Sequence, residues 1–301
     1  MRRDLLLAGG ALAVSGLLTR PARAAPDADL WERWLPYDAA NPARIDHAEW
    51  DNFVQRHRVI GTDGVARIAY RGVTFGDRDR LQRYIDSLSS VPILNYRREA
   101  QLAFWLNLYN ALVVDLVLDF YPVESVEDID ISPGFFSSGP WEAPLVEVNG
   151  KPITLNDIQH RILRPIWRDP LIHYGVNFGA VGCPNLASTA FTAENAPLLL
   201  VEGAAIFVND PRGARIAEDG DFVVSEMYDW YVEDFGDSEE GILAHLAQYA
   251  TEHLEAMLVG RMKAPPAKEG SRWLSLEELD ALAFTSAHRK VLTALRRKMA
   301  G

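Results

Sequence analysis

Residues 97–120 form one long helical pattern, and this segment restricts the possible folds more than any other. Leu102, Trp105, Leu106, Tyr109, Val113 and Leu116 recur at three- and four-residue spacing, which lines one face of an α-helix. Further apolar residues widen that face around most of the circumference. The segment is therefore predicted to be a buried central helix with the other elements packed around it. Tyr121-Pro122 ends it, because proline lacks a backbone N–H and clashes with the turn before it. Asn107 and Asn110 lie one turn apart inside this apolar stretch. A buried amide left without partners costs about 1–3 kcal/mol, so both must be bonded. Two roles fit them equally: orienting a catalytic group or an oxyanion, or bracing a neighbouring loop.

The other elements are short. Residues 46–58 and 77–89 read as helices and 65–69 as a strand. Residues 145–153 read as a hairpin around Asn149-Gly150, a pair suited to the positive φ angles of a two-residue turn. Thr154 reads as the cap of a helix carrying Ile158, His160 and Ile162, with Asp157 in the place of the usual glutamate. Residues 171–181 are apolar and β-prone and are predicted to be a buried strand. Residues 193–208 read as a helix, and Asp219-Gly220 as the turn of a second hairpin between 215–217 and 222–224. Two closing helices are expected at 237–258 and 274–299. Residues 25–45 are expected to cross the surface loosely, with Trp31 and Trp34 docking a short stretch. Helices alternating with short hairpins predict an α+β fold: a single domain with a buried central helix, antiparallel hairpins and closing C-terminal helices. The expected divisions are a signal peptide at 1–24, a helical and strand segment at 25–91, a core at 92–250 and a helical extension of the same globule at 251–301.

The first 24 residues read as an export signal. Arg2 and Arg3 precede an apolar run, and Ala22-Arg23-Ala24 is a small-x-small cleavage site. The paired arginines with Leu5 and Leu6 behind them fit the twin-arginine type. The apolar run at 5–18 falls short of the roughly 20 residues that span a bilayer. Cleavage after Ala24 removes four arginines and one aspartate, which takes the net charge from −12 to −15. A chain this acidic repels phosphate backbones and anionic lipid, so nucleic-acid partners are disfavoured. The expected location is periplasmic or secreted, with no stable membrane anchor after cleavage.

Cys183 is the only cysteine, so no disulfide forms within the chain. It follows a predicted strand and precedes Pro184, which places it at a strand-to-helix junction. Unpaired N–H groups and the helix dipole would favour a thiolate there. The alternative is a small buried hydrophobe, the commoner state of a free cysteine. A nucleophilic thiol needs a base, and His160 and His173 are the candidates. Ten extended residues span about 33 Å, so His173 meets Cys183 only if the segment bends. His245 and His253 share a helix face with Glu252 and Glu255 and read as solvated surface, as does the acidic stretch 233–240. The sequence holds no metal-ligand spacing, no Gly-rich phosphate loop and no Gly-x-Ser-x-Gly elbow. No metal or cofactor is expected.

Several blocks in a fixed order carry a family resemblance. They are Ala103-Phe-Trp-Leu-Asn107-Leu-Tyr-Asn110, Tyr121-Pro122-Val123, Thr154-Leu-Asn-Asp157-Ile-Gln-His160-Arg-Ile-Leu-Arg164-Pro165, Asp169-Pro-Leu-Ile-His173 and Gly182-Cys183-Pro184-Asn185-Leu186. Ala190-Phe-Thr-Ala-Glu194-Asn195, Phe207-Val-Asn209-Asp210 and Trp230-Tyr231-x-x-Asp234-Phe235 follow. Over about residues 92–250 the chain resembles the domain of unknown function 547 family, a resemblance that implies no established reaction. Within these blocks Trp105, Arg164 and Asn185 are the candidate binding residues. The family is in turn distantly similar to papain-like and transglutaminase-like thiol enzymes. That similarity implies Cys183 as nucleophile, His160 or His173 as base, and Asn107 or Asn110 as orienter.

The chain departs from these patterns in two places. Gln159 stands where the family often has an acidic residue before the histidine, and the cysteine follows the histidines, the reverse of the papain-like order. Two functions are expected. One is an exported soluble protein with a binding or scaffold role in the periplasm, taking a peptide or small-molecule ligand in a groove lined by Phe135, Phe136 and Trp141. The other is a thiol-dependent hydrolase or acyltransferase acting on amide or peptide bonds through Cys183.

Overall fold

The computed structural model describes residues 25–134, 139–217, 222–252 and 254. The expected signal segment 1–24, Phe135 and Phe136, the expected turn at Asp219-Gly220, His253 and the expected extension from 255 onward lie outside the described residues.

Helix α1 (Ala48–His57) leads into β1 (Arg58–Ile60), which pairs antiparallel with β2 (Ala66–Ile68). Helix α2 (Phe75–Ser89) starts two residues before its expected place because Thr74 caps it. The Thr74 hydroxyl accepts from the Asp77 N–H at 3.1 Å, and the Asp77 carboxylate accepts from the Thr74 N–H. Helix α3 (Arg98–Phe120) is the predicted central helix. By length and composition it could cross a membrane, yet most of its surface is buried inside the protein. Phe104, Leu106 and Leu108 have no exposure, and Trp34 lies edge-on to Trp105 at 5.1 Å.

Strands β3 (Val146–Val148) and β4 (Lys151–Ile153) form the expected hairpin. Asn149 at φ 46° and Gly150 at φ 71° supply the left-handed turn. Thr154 and Asp157 cap each other, with both N–H···O distances 3.0 Å. The helix they open is π-helical over Asp157–Leu163 and ends in one α-helical turn, α4 (Arg164–Trp167). π-helical turns are rare and concentrate at functional sites.

Residues 171–181 are not a strand. Asp169 caps the Leu171 N–H at 2.9 Å and Pro170 pre-sets φ, so Pro170–Tyr174 forms a 3₁₀ turn. Beyond it, Asn110 Nδ2 donates to Gly175 O at 2.8 Å, and Asn110 Oδ1 accepts from the Asn177 N–H at 2.9 Å. A side chain of α3 thus takes the main-chain bonds that a sheet would have used. Gly175 permits this approach, since a Cβ there would lie 2.6 Å from Leu200 Cδ2 and 2.9 Å from Leu106 Cδ2.

Helix α5 (Ala196–Val208), the antiparallel pair β5 (Ala214–Ile216) and β6 (Phe222–Val224), α6 (Glu226–Trp230) and α7 (Glu239–Tyr249) complete the described chain. Phe207, Tyr228, Phe235 and Leu246 build a second apolar cluster beside the one around α3. The architecture is mixed α+β: helices with three separate two-stranded antiparallel hairpins among the described residues.

Candidate functional site

Side chains of the π-helical turn tie α3 to the stretch after α6. Gln159 accepts at Oε1 from the Tyr109 hydroxyl at 3.2 Å and donates from Nε2 to the Tyr231 hydroxyl at 3.0 Å. Arg164, four residues after His160, donates from Nε to Asp234 Oδ2 at 2.6 Å and from Nη1 to Pro26 O at 2.7 Å, and its Nη2 pairs with Glu233. Nη1 also reaches His160 Nδ1 at 3.0 Å. His173 Nε2 donates to Asp234 Oδ2 at 2.7 Å. The Tyr231 ring stacks on His173 at 4.1 Å and lies 4.8 Å from the Arg164 guanidinium.

The protonation states follow from these partners. An arginine only donates, so His160 Nδ1 accepts and the imidazole proton sits on Nε2. Burial first, then Arg164 and His173, push the His160 pKa down to about 3, which leaves the ring neutral. Burial also lowers His173, against the pull of Asp234. Burial would raise the Asp234 carboxyl, but hydrogen bonds from His173 and Arg164 outweigh it and hold the group below the usual carboxylate range. Tyr231 is pushed up to about 12, mainly by burial, and stays a phenol.

Tyr109, Gln159, His160 and Tyr231 line a cleft of about 160 Å³ whose walls include Trp141, Phe178 and Trp230. Phe178 is edge-on to Trp141 at 6.4 Å and tilted against Trp230 at 6.4 Å. The hydrogen-bonding capacity left over on the lining consists mostly of donors. His160 keeps Nε2–H, since Nδ1 is taken. Tyr231 keeps its O–H, since its oxygen already accepts from Gln159. The Trp230 Nε1–H is buried and has no acceptor. Glu127, which is exposed, is the one carboxylate among the described lining residues. A larger hollow of about 250 Å³ beside β2 offers less, because its Asn110 and Asn177 amides are already bonded to main chain.

Residues 93–208 match the family described as Protein of unknown function, DUF547. That segment belongs to the DUF547 family. No curated protein and no solved structure matches the chain. The DUF547 match begins after Ala25-Pro26 and ends before Trp230-Tyr231-x-x-Asp234, so the cleft is built jointly by the DUF547 segment and by residues on both sides of it.

Within the DUF547 segment Cys183 is a buried thiol with no hydrogen bond to either imidazole, a placement that does not support the expected nucleophile. Cys183 is 1% exposed, and no helix starts behind it before α5 at Ala196. Burial pushes its thiol up to about 12, although the backbone at Ala180 and Phe178 and the Arg212 charge pull the other way. His173 Nδ1 is buried without a partner, so the thiol does not reach it. His160 Nδ1 is committed to Arg164. Neither imidazole is therefore placed as a base for Cys183.

The other expected residues fall into clear places. Asn107 and Asn110 are braces: Asn107 holds both main-chain groups of Phe191, and Asn110 holds Gly175 and Asn177. Trp105 is a core residue. Asn185 joins β2 to the loop before it, accepting from the Ala66 N–H at 2.9 Å and donating to Gly64 O at 3.0 Å. Of the expected set, His160 lines the cleft, with Arg164 and His173 linked to it through the network.

Two residues read as solvated surface are not. Asp234 bonds His173 and Arg164, and His245 is buried with Nε2 2.7 Å from the Tyr174 hydroxyl. Tyr109, Gln159, Tyr231 and Asp234 are site residues that the sequence reading did not single out, although all four stand inside the blocks that carry the family resemblance. Tyr109 offered a signal, a hydroxyl inside the apolar run of α3, whereas Gln159 and Asp234 stand among other polar residues and offered none. No group of three or more His, Cys, Asp or Glu side chains among the described residues could hold a metal ion.

Proposed function

We propose that this DUF547 protein is an exported binding protein. Its aromatic cleft takes a small molecule or peptide end with an apolar body and a hydrogen-bond-accepting head. The reading rests on the buried Trp230 Nε1–H, a donor without an acceptor on an aromatic lining that also offers His160 Nε2–H and the Tyr231 O–H. A buried donor left unpaired is costly, and a ligand acceptor removes that cost. The aromatic walls supply apolar contact. None of the three donors is charged, so the head is recognised by hydrogen bonding.

Trp141 and Trp230 line the cleft, so a ligand entering it changes tryptophan emission. A titration panel of aromatic and aliphatic acids, amides and dipeptides is expected to yield saturating curves, with mutual competition among the members that bind. Trp230→Phe keeps the wall and removes the donor, and is expected to weaken binding about 5- to 150-fold, the worth of one buried hydrogen bond. A panel without a saturable binder overturns the reading. So does a Trp230→Phe variant with unchanged affinity.

A further inference from the structure

We infer that cleavage after Ala24 completes this site, because the new α-ammonium of Ala25 becomes its cation and makes the cleft selective for carboxylates. The inference rests on the cleft being the binding site. Ala25 and Pro26 are part of the cleft lining. The segment behind them is anchored step by step and does not cross the surface loosely. Pro26 O accepts from Arg164 Nη1 at 2.7 Å, the Asp29 N–H donates to His160 O at 3.0 Å, and the Trp31 N–H donates to Arg161 O at 3.0 Å. The Arg161 guanidinium sits 4.6 Å from the Trp31 ring centroid and pairs with Asp29, and Trp34 is 1% exposed against Trp105. The position of Ala25 is thus tied to the same helix that carries Gln159 and His160.

Among the described lining residues no other cation is free. His160 is neutral, and Arg164 is consumed by Asp234, Glu233 and Pro26. Ala22-Arg23-Ala24 marks the peptide bond that a leader peptidase would cut. Water adds across the Ala24–Ala25 amide, Ala24 leaves as the carboxylate, and Ala25 gains a primary amine that takes up a proton. That amine has an ordinary pKa of about 7.7–8.0 and brings up to three N–H donors. Before cleavage the same atom is an uncharged amide nitrogen with the leader attached. The mature site then combines one positive charge with the neutral donors of Trp230, Tyr231 and His160, and faces a single described carboxylate, the exposed Glu127, which solvent screens; the set suits a carboxylate head on an apolar body.

The test uses 3-phenylpropionate and 3-phenylpropionamide, which share a body and differ in the charge of the head. Three forms of the protein are compared: the chain beginning at Ala25, the same chain with Gly-Ser before Ala25, and the Ala25 form acetylated at its α-amine. The Ala25 form is expected to bind the acid at least about tenfold more tightly than the amide, with the preference fading as pH rises through about 8. The extended and acetylated forms are expected to lose that preference while binding the amide unchanged. Equal affinity of all three forms for the acid overturns the inference and leaves the cleft reading standing. Failure of all three forms to bind either probe overturns both. The exported protein is expected to have the mass of a chain starting at Ala25, and a different start also overturns the inference.

Discussion

At Cys183 burial decides the chemistry. A thiolate needs water or an opposite charge, and this thiol is 1% exposed with its pKa pushed up to about 12. The folded protein is therefore expected to react with a small thiol reagent at pH 8 more slowly than the denatured chain, by on the order of 100-fold or more. Labelling at equal rates in both states would show the thiol to be accessible and would reopen the nucleophile reading. His160 illustrates the same rule with a different outcome. Its imidazole stays neutral and is held as a donor, because Arg164 occupies the nitrogen that a base would use. Residue type alone suggested a nucleophile and a base, and the neighbours made them a core thiol and a hydrogen-bond donor.

Among the elements, α3 carries the most structural duties. It is the core helix, and its two asparagines hold chain segments that form no regular structure. Asn107 Nδ2 donates to Phe191 O at 2.8 Å and Oδ1 accepts from the Phe191 N–H at 2.9 Å. Asn107→Ala leaves two buried main-chain groups unpaired and is expected to cost about 2–4 kcal/mol. In a protein of this size that lowers Tm by roughly 5–15 °C. A melting curve within about 2 °C of the unsubstituted protein would show that Phe191 finds other partners. α3 was legible in the sequence because its period is local and runs for more than twenty residues. Residues 171–181 were not, since a short apolar run suits a buried strand and a buried irregular segment equally well. Asn110, more than sixty residues earlier, decided between them.

For the whole molecule, buried imidazoles set the response to acid. Burial lowers His47, His160 and His245 to about 4, about 3 and about 4, from 6.5 in an exposed chain. Below pH 6.5 the unfolded state binds protons that the folded state refuses, so stability is full above about pH 6.5 and falls as pH drops toward 4. At pH 5 each histidine accounts for a loss of about 2 kcal/mol. Asp115 works in the opposite direction. Burial, then Asp119, raises it to about 6, so between pH 6 and 4 the folded state holds a proton that the unfolded state has released. That recovers only about 1 kcal/mol at pH 5. The urea midpoint is accordingly expected to fall between pH 7 and pH 5. A midpoint that holds or rises would show these imidazoles to be solvated.

What the sequence determined by itself is the set of local elements: the central helix, the Asn149-Gly150 hairpin, the Thr154 cap and the alternation that makes the fold α+β. Their causes are side-chain period, turn chemistry and capping, all of which act within a few residues. The tertiary structure alone decided the site. Tyr109, Gln159 and Tyr231 come from three distant stretches, and Asp234 reaches back to His173 and Arg164. Whether a polar group is a donor, a base or a brace depends on the partner that occupies its other atoms and on the water it loses. Both are properties of packing between segments far apart in the chain.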